Sequence, residues 1–321
     1  MIIPEKLKAG DEIRVISPSS SVTKIGGVEE FLPAKNLLED LGFKITFGEN
    51  ILANDIQDSA SIHERITDIH EAFADKNVKV ILTTIGGFNS NELLPYLDFD
   101  LIKFNPKIFC GYSDITALGN AIFSKTGLVT YSGPGYSAFK MKGLQDYQSQ
   151  MWLRALMNKS YTLEKSEQWS SDPWYLSNCE RQYFENEWKI YNEGQAKGTI
   201  IGAHLSTFGL LQGTAYFPQV SKPILFVEVA EEDNSLDFTR NFASLLQAIE
   251  QPQALLIGRF PKEAEMTEEI LLYILDKHPI LRKIPVMYDL NFGHAQPIFT
   301  FPIGGILAVN TSNQSLKVLE G

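Results

Sequence analysis

The first half of the sequence alternates short β-rich runs with helical segments, and this rhythm limits the chain to few folds. Residues 12–17, 43–47 and 78–84 predict strands, and residues 28–41 predict a helix that ends at Gly42. Four apolar side chains at helical spacing predict a further amphipathic helix: Ile62, Ile66, Ile69 and Phe73. Such alternation predicts a mostly parallel sheet with helices on both faces.

The rhythm continues to about residue 131 and is then interrupted. Residues 107–110 and 128–131 predict strands, with a helix at residues 114–125 between them. The stretch from about residue 150 to residue 194 is polar and rich in aromatic side chains. It has neither the helical nor the strand period, which indicates a connecting segment.

Regular elements return in the second half of the chain. They are predicted strands at residues 224–228, 254–260 and 284–290, helices at residues 235–249 and 267–277, and a hairpin at residues 306–319. We therefore predict an α/β protein in three parts. An N-terminal domain (residues 1–165) carries the candidate nucleophile, an aromatic linker (166–195) follows, and a β-rich domain (196–321) completes the chain.

The amino-acid composition limits the classes of partner that the protein is expected to bind. The 28 basic and 39 acidic residues give a net charge of −11, which argues against a nucleic-acid polymer or an anionic membrane as the main partner. No apolar run approaches the roughly 20 residues of a membrane helix. Cys110 and Cys179 form no CxxC pair, and residues 1–6 lack the pattern of a signal peptide. We expect a cytoplasmic location.

Ser113 is the candidate nucleophile, because it lies between a predicted strand and a predicted helix. A serine on such a turn stands above the sheet, and the helix that follows supplies backbone N–H groups for a developing oxyanion. The local sequence is G-Y-S-D-I, which departs from the G-x-S-x-G pattern. The alternative is a simple helix N-cap, a position that serine and aspartate both favour.

The sequence Gly86-Gly87-Phe88-Asn89-Ser90 follows the strand at residues 78–84. Glycines at the carboxyl end of a strand let the backbone approach a ligand, and the N–H of Gly87 is a candidate oxyanion donor. The alternative is a turn that only requires a positive φ. No Gly-Lys-Ser/Thr follows, so this is not a phosphate-binding loop.

Among the five histidines, His294 is the best placed for proton transfer. His63 and His70 fall on the polar face of their helix, His278 lies at a helix end, and the role of His204 is ambiguous. His294 follows a predicted strand on a glycine-flanked loop, from which it can reach the edge of a sheet. A surface loop histidine is the alternative.

Glu228 is the candidate acid that orients the base. It closes the apolar run at residues 223–227, where a carboxylate must be paired or bind a proton. Holding a histidine tautomer is one way to pair it. Glu231, Glu232 and Asp233 are predicted to form a solvated helix start, and the Asp114 side chain is predicted to cap a helix.

Together these segments resemble the serine peptidase family of the LD-carboxypeptidases and the microcin C immunity proteins. The resemblance covers essentially the whole chain. Its segments are Gly10-Asp11-Glu12-Ile13, Ser17-Pro18-Ser19, residues 65–70, 86–91, 111–118 and 131–134, Gly202-Ala203-His204-Leu205, residues 224–228, Phe292-Gly293-His294 and Pro302-Ile303-Gly304. Two positions depart from the family pattern. Val229 stands where the family often has Asp, and Gly202-Ala203-His204 stands where it typically has Gly-Gly-Asn.

The resemblance implies a catalytic triad of Ser113, Glu228 and His294. It implies an oxyanion hole from the backbone of Gly87 and Asp114, a swivelling second domain, no metal or organic cofactor, and usually a homodimer. Phe88, Asn89 and His204 are further expected substrate contacts.

The aromatic insert distinguishes two groups within this family. Asp172-Pro173-Trp174-Tyr175 resembles the longer loop of the microcin C immunity proteins, in which a tryptophan stacks on adenine. Packing within the protein is the alternative for Trp174. We therefore expect an immunity-protein-like peptidase that hydrolyses a carboxamide in a peptidyl- or aminoacyl-nucleotide.

Three other functions are weighed against this one. An LD-carboxypeptidase that removes terminal D-alanine from a muropeptide tetrapeptide uses the same chemistry. A non-catalytic nucleotide-binding relative is a second alternative. An amidotransferase-like hydrolase is disfavoured, because its nucleophile is a cysteine and Cys110 lies within a strand.

Overall fold

The computed structural model describes residues 1–27, 29–175, 180–249 and 251–321. The α-helices in chain order are α1 (Leu32–Asp40), α2 (Ile62–Ala74), α3 (Phe99–Phe104), α4 (Thr116–Thr126), α5 (Gln145–Met157), α6 (Leu205–Gly209), α7 (Ser235–Ala248) and α8 (Glu268–Asp276). The strands are β1 (Glu12–Ile16), β2 (Lys44–Phe47), β3 (Val78–Thr83), β4 (Ile108–Gly111), β5 (Thr130–Ser132), β6 (Tyr161–Leu163), β7 (Gln168–Trp169), β8 (Phe184–Glu185), β9 (Lys189–Asn192), β10 (Gln195–His204), β11 (Ile224–Glu228), β12 (Ala254–Gly258), β13 (Val286–Leu290), β14 (Phe301–Ile303), β15 (Ile306–Asn310) and β16 (Ser315–Glu320).

The first sheet has six strands in the order β14-β5-β4-β3-β1-β2. Strands β1 to β5 run parallel, and β14 closes one edge antiparallel to β5. The strand order reverses between β1 and β3, since the chain builds outward in both directions from this pair. Ligands of open parallel sheets bind at the carboxyl ends of the strands beside such a reversal. The loops after β1 and β3 are therefore where a site is expected.

The second sheet has eight strands in the order β6-β16-β15-β10-β11-β12-β13-β9. Strands β10 to β13 run parallel in its middle, and antiparallel strands flank them on both sides. The predicted α/β first half with a parallel sheet, followed by a β-rich second part, is confirmed. The domain boundaries at residues 165 and 195 stay a prediction. Each sheet takes one strand from the other part of the chain, because β6 pairs with β16 and β14 pairs with β5.

Two predicted helices begin later than their sequence pattern suggests. Residues Glu29–Phe31 form a 3₁₀ turn, and α1 starts at Leu32 because Pro33 fits only the first turn of a helix. Ser113–Ile115 form a second 3₁₀ turn, so α4 begins at Thr116. Among the residues that the structure describes, no helix combines the length and the apolar character that crossing a membrane requires.

A buried amide links α4, the helix that follows the candidate nucleophile, to the second sheet. Asn120, on α4, donates from Nδ2 to the Gly202 carbonyl oxygen at 2.9 Å. Its Oδ1 accepts from the Gly202 N–H at 3.2 Å, so both amide groups bind one residue of β10. Because α4 follows Ser113 and β10 lies beside β11, this pair of bonds fixes the carboxyl ends of the two sheets against each other.

Candidate active site

Ser113 lies on a sharp turn directly after β4. Its φ is +63°, in the left-handed region that residues with a side chain rarely occupy. Such strain costs on the order of 1–3 kcal/mol and persists where the surrounding fold enforces it. The turn directs the chain from β4 into α4 and lifts the Ser113 side chain above the carboxyl edge of the first sheet.

Ser113, His294 and Glu228 form one chain of hydrogen bonds. The distance from His294 Nε2 to Ser113 Oγ is 3.0 Å, and that from His294 Nδ1 to Glu228 Oε2 is 2.8 Å. Glu228 ends β11 and is 2% exposed, and the His294 loop follows β13. The structure thus brings together three residues that lie far apart in the sequence, at the meeting edges of the two sheets.

Charge dominates the environment of His294. Burial alone would lower the pKa of its imidazole, but the hydrogen-bonded Glu228 carboxylate, with Glu231 and Glu232 further away, raises this pKa to about 9. Tyr112 packs against the imidazole with a ring-centroid distance of 5.3 Å. The arrangement favours a protonated histidine, which is the form that general-base catalysis generates during the reaction.

Two glycines after β3 allow close packing around Ser113 and the loop after β1. A Cβ atom at Gly86 would lie 2.8 Å from Ser113 Oγ and 3.5 Å from the Asp114 nitrogen. Gly87 has a φ of +152°, and a Cβ there would lie 2.3 Å from Ser19 Oγ. A side chain at Gly86 would therefore occupy the space between the Ser113 hydroxyl and the Asp114 N–H, where an oxyanion hole is expected, whereas one at Gly87 would displace the loop of Ser19 and Ser20.

The Asp114 side chain does not cap a helix. Its Oδ2 accepts hydrogen bonds from Ser19 Oγ at 2.5 Å and from Ser90 N at 2.8 Å. The predicted cap role is wrong, because the carboxylate turns back toward neighbouring loops and away from the first turn of α4, which has no side-chain cap.

A cavity of about 650 Å³ opens above Ser113 and His294. Its wall contains side chains from both parts of the chain. The aromatic ones are Phe31, Phe88, Tyr112, Trp174 and Tyr175, and the charged ones are Lys24, Lys140, Glu231 and Glu232. Apolar walls with a few converging polar groups are typical of sites for small organic ligands.

The four predicted substrate contacts separate into two pairs. Phe88, which is 72% exposed, and Trp174 both line the cavity. The Asn89 amide instead binds Ser59 and Arg65, at 2.9 Å each.

His204 has both ring nitrogens engaged, by Thr207 Oγ1 at 2.7 Å and Asp233 Oδ2 at 3.0 Å. Its ring centroid lies 5.4 Å from that of His294. A substrate contact at His204 stays a prediction.

The acidic segment after β11 is exposed at Glu231 and Glu232, as the sequence predicts, but it does not form the start of a helix. Helix α7 begins at Ser235 with Asn234 as its N-cap, so Glu231 and Glu232 precede it and line the cavity. Asp233 pairs with His204, and hydrogen bonds from His204 and Ser206 outweigh burial and lower the Asp233 pKa to about 2. Glu231 and Glu232 follow Glu228 by only three and four residues, and this closeness in sequence was the signal that could have placed them beside the site.

The aromatic insert forms a small hairpin beside the histidine loop. Strands β7 and β8 pair antiparallel, and Ser170 exchanges two backbone hydrogen bonds with Gln296, each at 2.8 Å. Trp174 lies in the connection between the two strands, five residues after β7, and residues 176–179, with Cys179, are outside the described residues. The segment that carries Trp174 is thus attached two residues after His294.

Neither a metal cluster nor a reactive thiol accompanies this site in the described ranges. No group of three or more His, Cys, Asp or Glu side chains there is arranged to hold a metal ion. Cys110 is fully buried, and burial raises the pKa of its thiol to about 12. A thiol of this kind is inert as a nucleophile at neutral pH.

Comparison with protein families gives two matches that cover most of the chain. Residues 13–133 match the LD-carboxypeptidase N-terminal domain, and residues 197–309 match the LD-carboxypeptidase C-terminal domain. The first match contains Ser113, and the second contains Glu228 and His294.

Individual relatives carry two kinds of name. The chain is 43% identical to the putative carboxypeptidase YocD of Bacillus subtilis, over 98% of this chain and 97% of the relative. It is 29% identical to the microcin C7 self-immunity protein MccF of Escherichia coli (99% and 96% covered). It is 28% identical to the probable murein peptide carboxypeptidase of Bacillus subtilis (99% and 94% covered).

Solved structures agree with the fold over the full length. An MccF-like protein from Bacillus anthracis superposes with a TM-score of 0.96 at 45% identity, with 100% of both chains covered. MccF in complex with aspartyl sulfamoyl adenosine superposes with a TM-score of 0.91 at 29% identity, covering 100% of this chain and 99% of that one.

Proposed function

The chain belongs to the LD-carboxypeptidase family of serine peptidases, and we propose that Ser113, His294 and Glu228 are its catalytic triad. The hydrogen-bonded chain from Ser113 Oγ through His294 to Glu228 carries this proposal. The strained φ of Ser113 and the open space at Gly86 support it, because an exposed nucleophile needs both.

The proposed reaction proceeds in two steps through an acyl-enzyme. Ser113 Oγ attacks the carbonyl carbon of an amide while His294 Nε2 accepts the hydroxyl proton, and Glu228 holds the Nδ1–H of the imidazolium. The oxyanion accepts hydrogen bonds from the Gly87 and Asp114 N–H groups. His294 then protonates the leaving nitrogen, the C–N bond breaks, and water releases the acyl group by the reverse proton transfers.

We propose an aminoacyl- or peptidyl-nucleotide as the substrate. The observation that carries this choice is Trp174 in the wall of the cavity, together with Phe88 and Tyr112. Aromatic faces bind nucleobases, with stacking worth about 1–3 kcal/mol per base. The similarity to MccF in complex with aspartyl sulfamoyl adenosine supports the same class.

Removal of the terminal D-alanine from a muropeptide tetrapeptide is the second candidate. The identities to MccF and to the probable murein peptide carboxypeptidase are 29% and 28%, so sequence identity does not favour either substrate. Both reactions hydrolyse an amide and use the same proposed triad. They differ in what the cavity must hold beyond the scissile bond.

A side-by-side assay tests the nucleophile and the substrate together. Purified protein receives an aminoacyl sulfamoyl adenosine or a muropeptide tetrapeptide, and products are measured by mass spectrometry. We expect cleavage of the first, and a loss of kcat on the order of 10⁶-fold for Ser113→Ala. Cleavage of the tetrapeptide alone overturns the nucleotide proposal, and full activity of Ser113→Ala overturns the triad. Binding without cleavage by the wild type would favour a non-catalytic nucleotide-binding protein.

A further inference from the structure

Asp114 has a buried carboxylate that the proposed chemistry does not use. Its side chain is 2% exposed, and Oδ2 accepts from Ser19 Oγ at 2.5 Å and from Ser90 N at 2.8 Å. The Asp114 carbonyl oxygen accepts a third bond, from Ser90 Oγ at 2.7 Å. Burying a carboxylate costs free energy, which hydrogen bonds such as these offset. Because both donors to Oδ2 come from other loops, the role of this side chain is to be sought in how those loops are held.

These bonds join three loops that meet at Ser113. Ser19 follows β1, Ser90 closes the turn after β3, and Asp114 follows β4. The three strands are neighbours in the first sheet, in the order β4-β3-β1. A single side chain therefore connects the carboxyl-end loops of three adjacent strands around the nucleophile.

Ser19, which Asp114 holds, packs directly against the turn formed by Gly86 and Gly87. A Cβ atom at Gly87 would lie 2.3 Å from Ser19 Oγ, which places the hydroxyl directly against the Gly87 backbone. The neighbouring Ser20 N–H donates to the Gly86 carbonyl oxygen at 3.1 Å. The position of Ser19, which Asp114 holds, therefore sets the position of the Gly86-Gly87 turn relative to Ser113.

We propose that the Asp114 carboxylate is a positioning residue that fixes the Gly87 and Asp114 N–H groups for the oxyanion. Donors that are already in place stabilise developing charge without reorganisation, whereas donors on a loose turn do not. A negative charge near an oxyanion is itself unfavourable, so the benefit of this carboxylate is its geometry. The inference rests on the proposed role of Ser113 as nucleophile.

Three variants separate geometry, charge and stability. Asp114→Ala removes the hydrogen bonds to Ser19 and Ser90, and Asp114→Asn keeps an acceptor oxygen but removes the charge. Asp68→Ala is the matched control, because Asp68 is another buried carboxylate with neutral donors, the backbone and side chain of Asn50. Ser19→Ala removes one hydroxyl only and serves if Asp114→Ala fails to fold.

The first measurement is the rate at which a fluorophosphonate labels Ser113. This reaction needs the nucleophile and the oxyanion donors but no particular amide substrate. We expect Asp114→Ala to slow labelling by about 10–100-fold, somewhat less than the loss of one oxyanion donor. Asp114→Asn should stay within about 5-fold of the wild type, and Ser19→Ala should fall between the two.

The second measurement is kcat and KM on the substrate that the wild type cleaves, with unfolding temperatures for all variants. We expect Asp114→Ala to lower kcat while KM stays within about 3-fold of the wild-type value. Asp68→Ala should keep the wild-type kcat and KM, although its unfolding temperature should fall by a similar amount to that of Asp114→Ala. Labelling of Asp114→Ala at the wild-type rate overturns the inference, as does an equal slowing by Asp68→Ala. If the wild type is labelled but cleaves neither substrate, only the substrate proposal fails; no labelling at Ser113 overturns both.

Discussion

The two parts of the candidate site hold their side chains by different physical means. On the first sheet, Ser113 is placed by backbone geometry, namely a φ of +63° and the glycine turn at residues 86–87. On the second sheet, His294 is placed by charge, since the Glu228 carboxylate holds it and raises its pKa to about 9. A substitution that disturbs the turn of Ser113 should therefore lower activity equally at every pH. A substitution that changes the charge around His294 should also change the pH profile of activity.

The largest expected effect in this comparison comes from Glu228→Gln. The wild-type kcat/KM should rise with pH to a plateau above about pH 9, because His294 accepts a proton only when neutral. An amide at residue 228 favours the wrong tautomer, and the plateau should fall by about 10⁴-fold. The midpoint should also move to lower pH, since burial alone lowers the pKa of His294.

A pH series of kcat/KM with matched buffers measures both changes. The loss should be smaller at pH 7 than at pH 10, because the variant has more neutral His294 at pH 7 than the wild type has. A plateau that falls with no movement of the midpoint would mean that the Glu228 charge does not control His294, and the proposed contrast between the sheets would fail.

Gly86→Ala tests the first sheet and should have the next largest effect. The new Cβ would lie 2.8 Å from Ser113 Oγ and would fill the space beside the Asp114 nitrogen. We expect kcat/KM to fall by about 10²–10³-fold, comparable to the loss of an oxyanion donor, with no change in the pH midpoint.

Gly209→Ala is the matched control, because nothing lies within 4 Å of a Cβ at that position. It should retain wild-type activity and unfolding temperature. A shift in the pH midpoint for Gly86→Ala would show that the two parts of the site are not independent.

The alternation of strands and helices was readable from the sequence because buried parallel strands are nearly continuous apolar runs. Strand β10 was missed, although it is ten residues long. Its first half, residues 195–199, is partly exposed and polar, and only its second half is buried. Helix α5 was missed because its buried residues, such as Met151 and Trp152, lie among polar and aromatic neighbours that resemble a loop.

The residues around Ser113 were predictable to different degrees for a physical reason. Glu228 ends β11, whereas Ser113 and His294 lie on the turns that follow β4 and β13. Residues at the carboxyl ends of parallel strands are where a site is expected, and the carboxyl ends of the two sheets meet here. The role of the Asp114 side chain was not predictable, since its partners Ser19 and Ser90 lie 95 and 24 residues away. Contacts between loops depend on the sheet order, which the local pattern does not contain.

The smallest expected effect comes from neutralising the two glutamates in the cavity wall. Glu231 and Glu232 raise the pKa of His294, so Glu231→Gln with Glu232→Gln should lower it. With a pKa of about 9, only about one His294 in a hundred is neutral at pH 7, and a small downward shift raises that fraction directly. We therefore expect kcat at saturating substrate to rise about two-fold to three-fold at pH 7 and to stay constant at pH 10.

The charges of Glu231 and Glu232 should also affect the stability of the fold. They favour the protonated form of His294, which lowers activity at pH 7 but stabilises the folded state. The folded pKa of His294 lies above the ordinary value of 6.5, so its bound proton stabilises the fold fully below about pH 6.5. That contribution is lost as the pH rises through about 9, and the double variant should lose less, because its folded pKa is closer to the unfolded one. Unfolding temperatures at pH 6 and pH 9.5 measure the difference between the two proteins. The double variant and the wild type could show the same fall in unfolding temperature between pH 6 and pH 9.5 and the same kcat at pH 7. In that case Glu231 and Glu232 do not control the charge of His294, and the contrast between the two sheets rests on Glu228 alone.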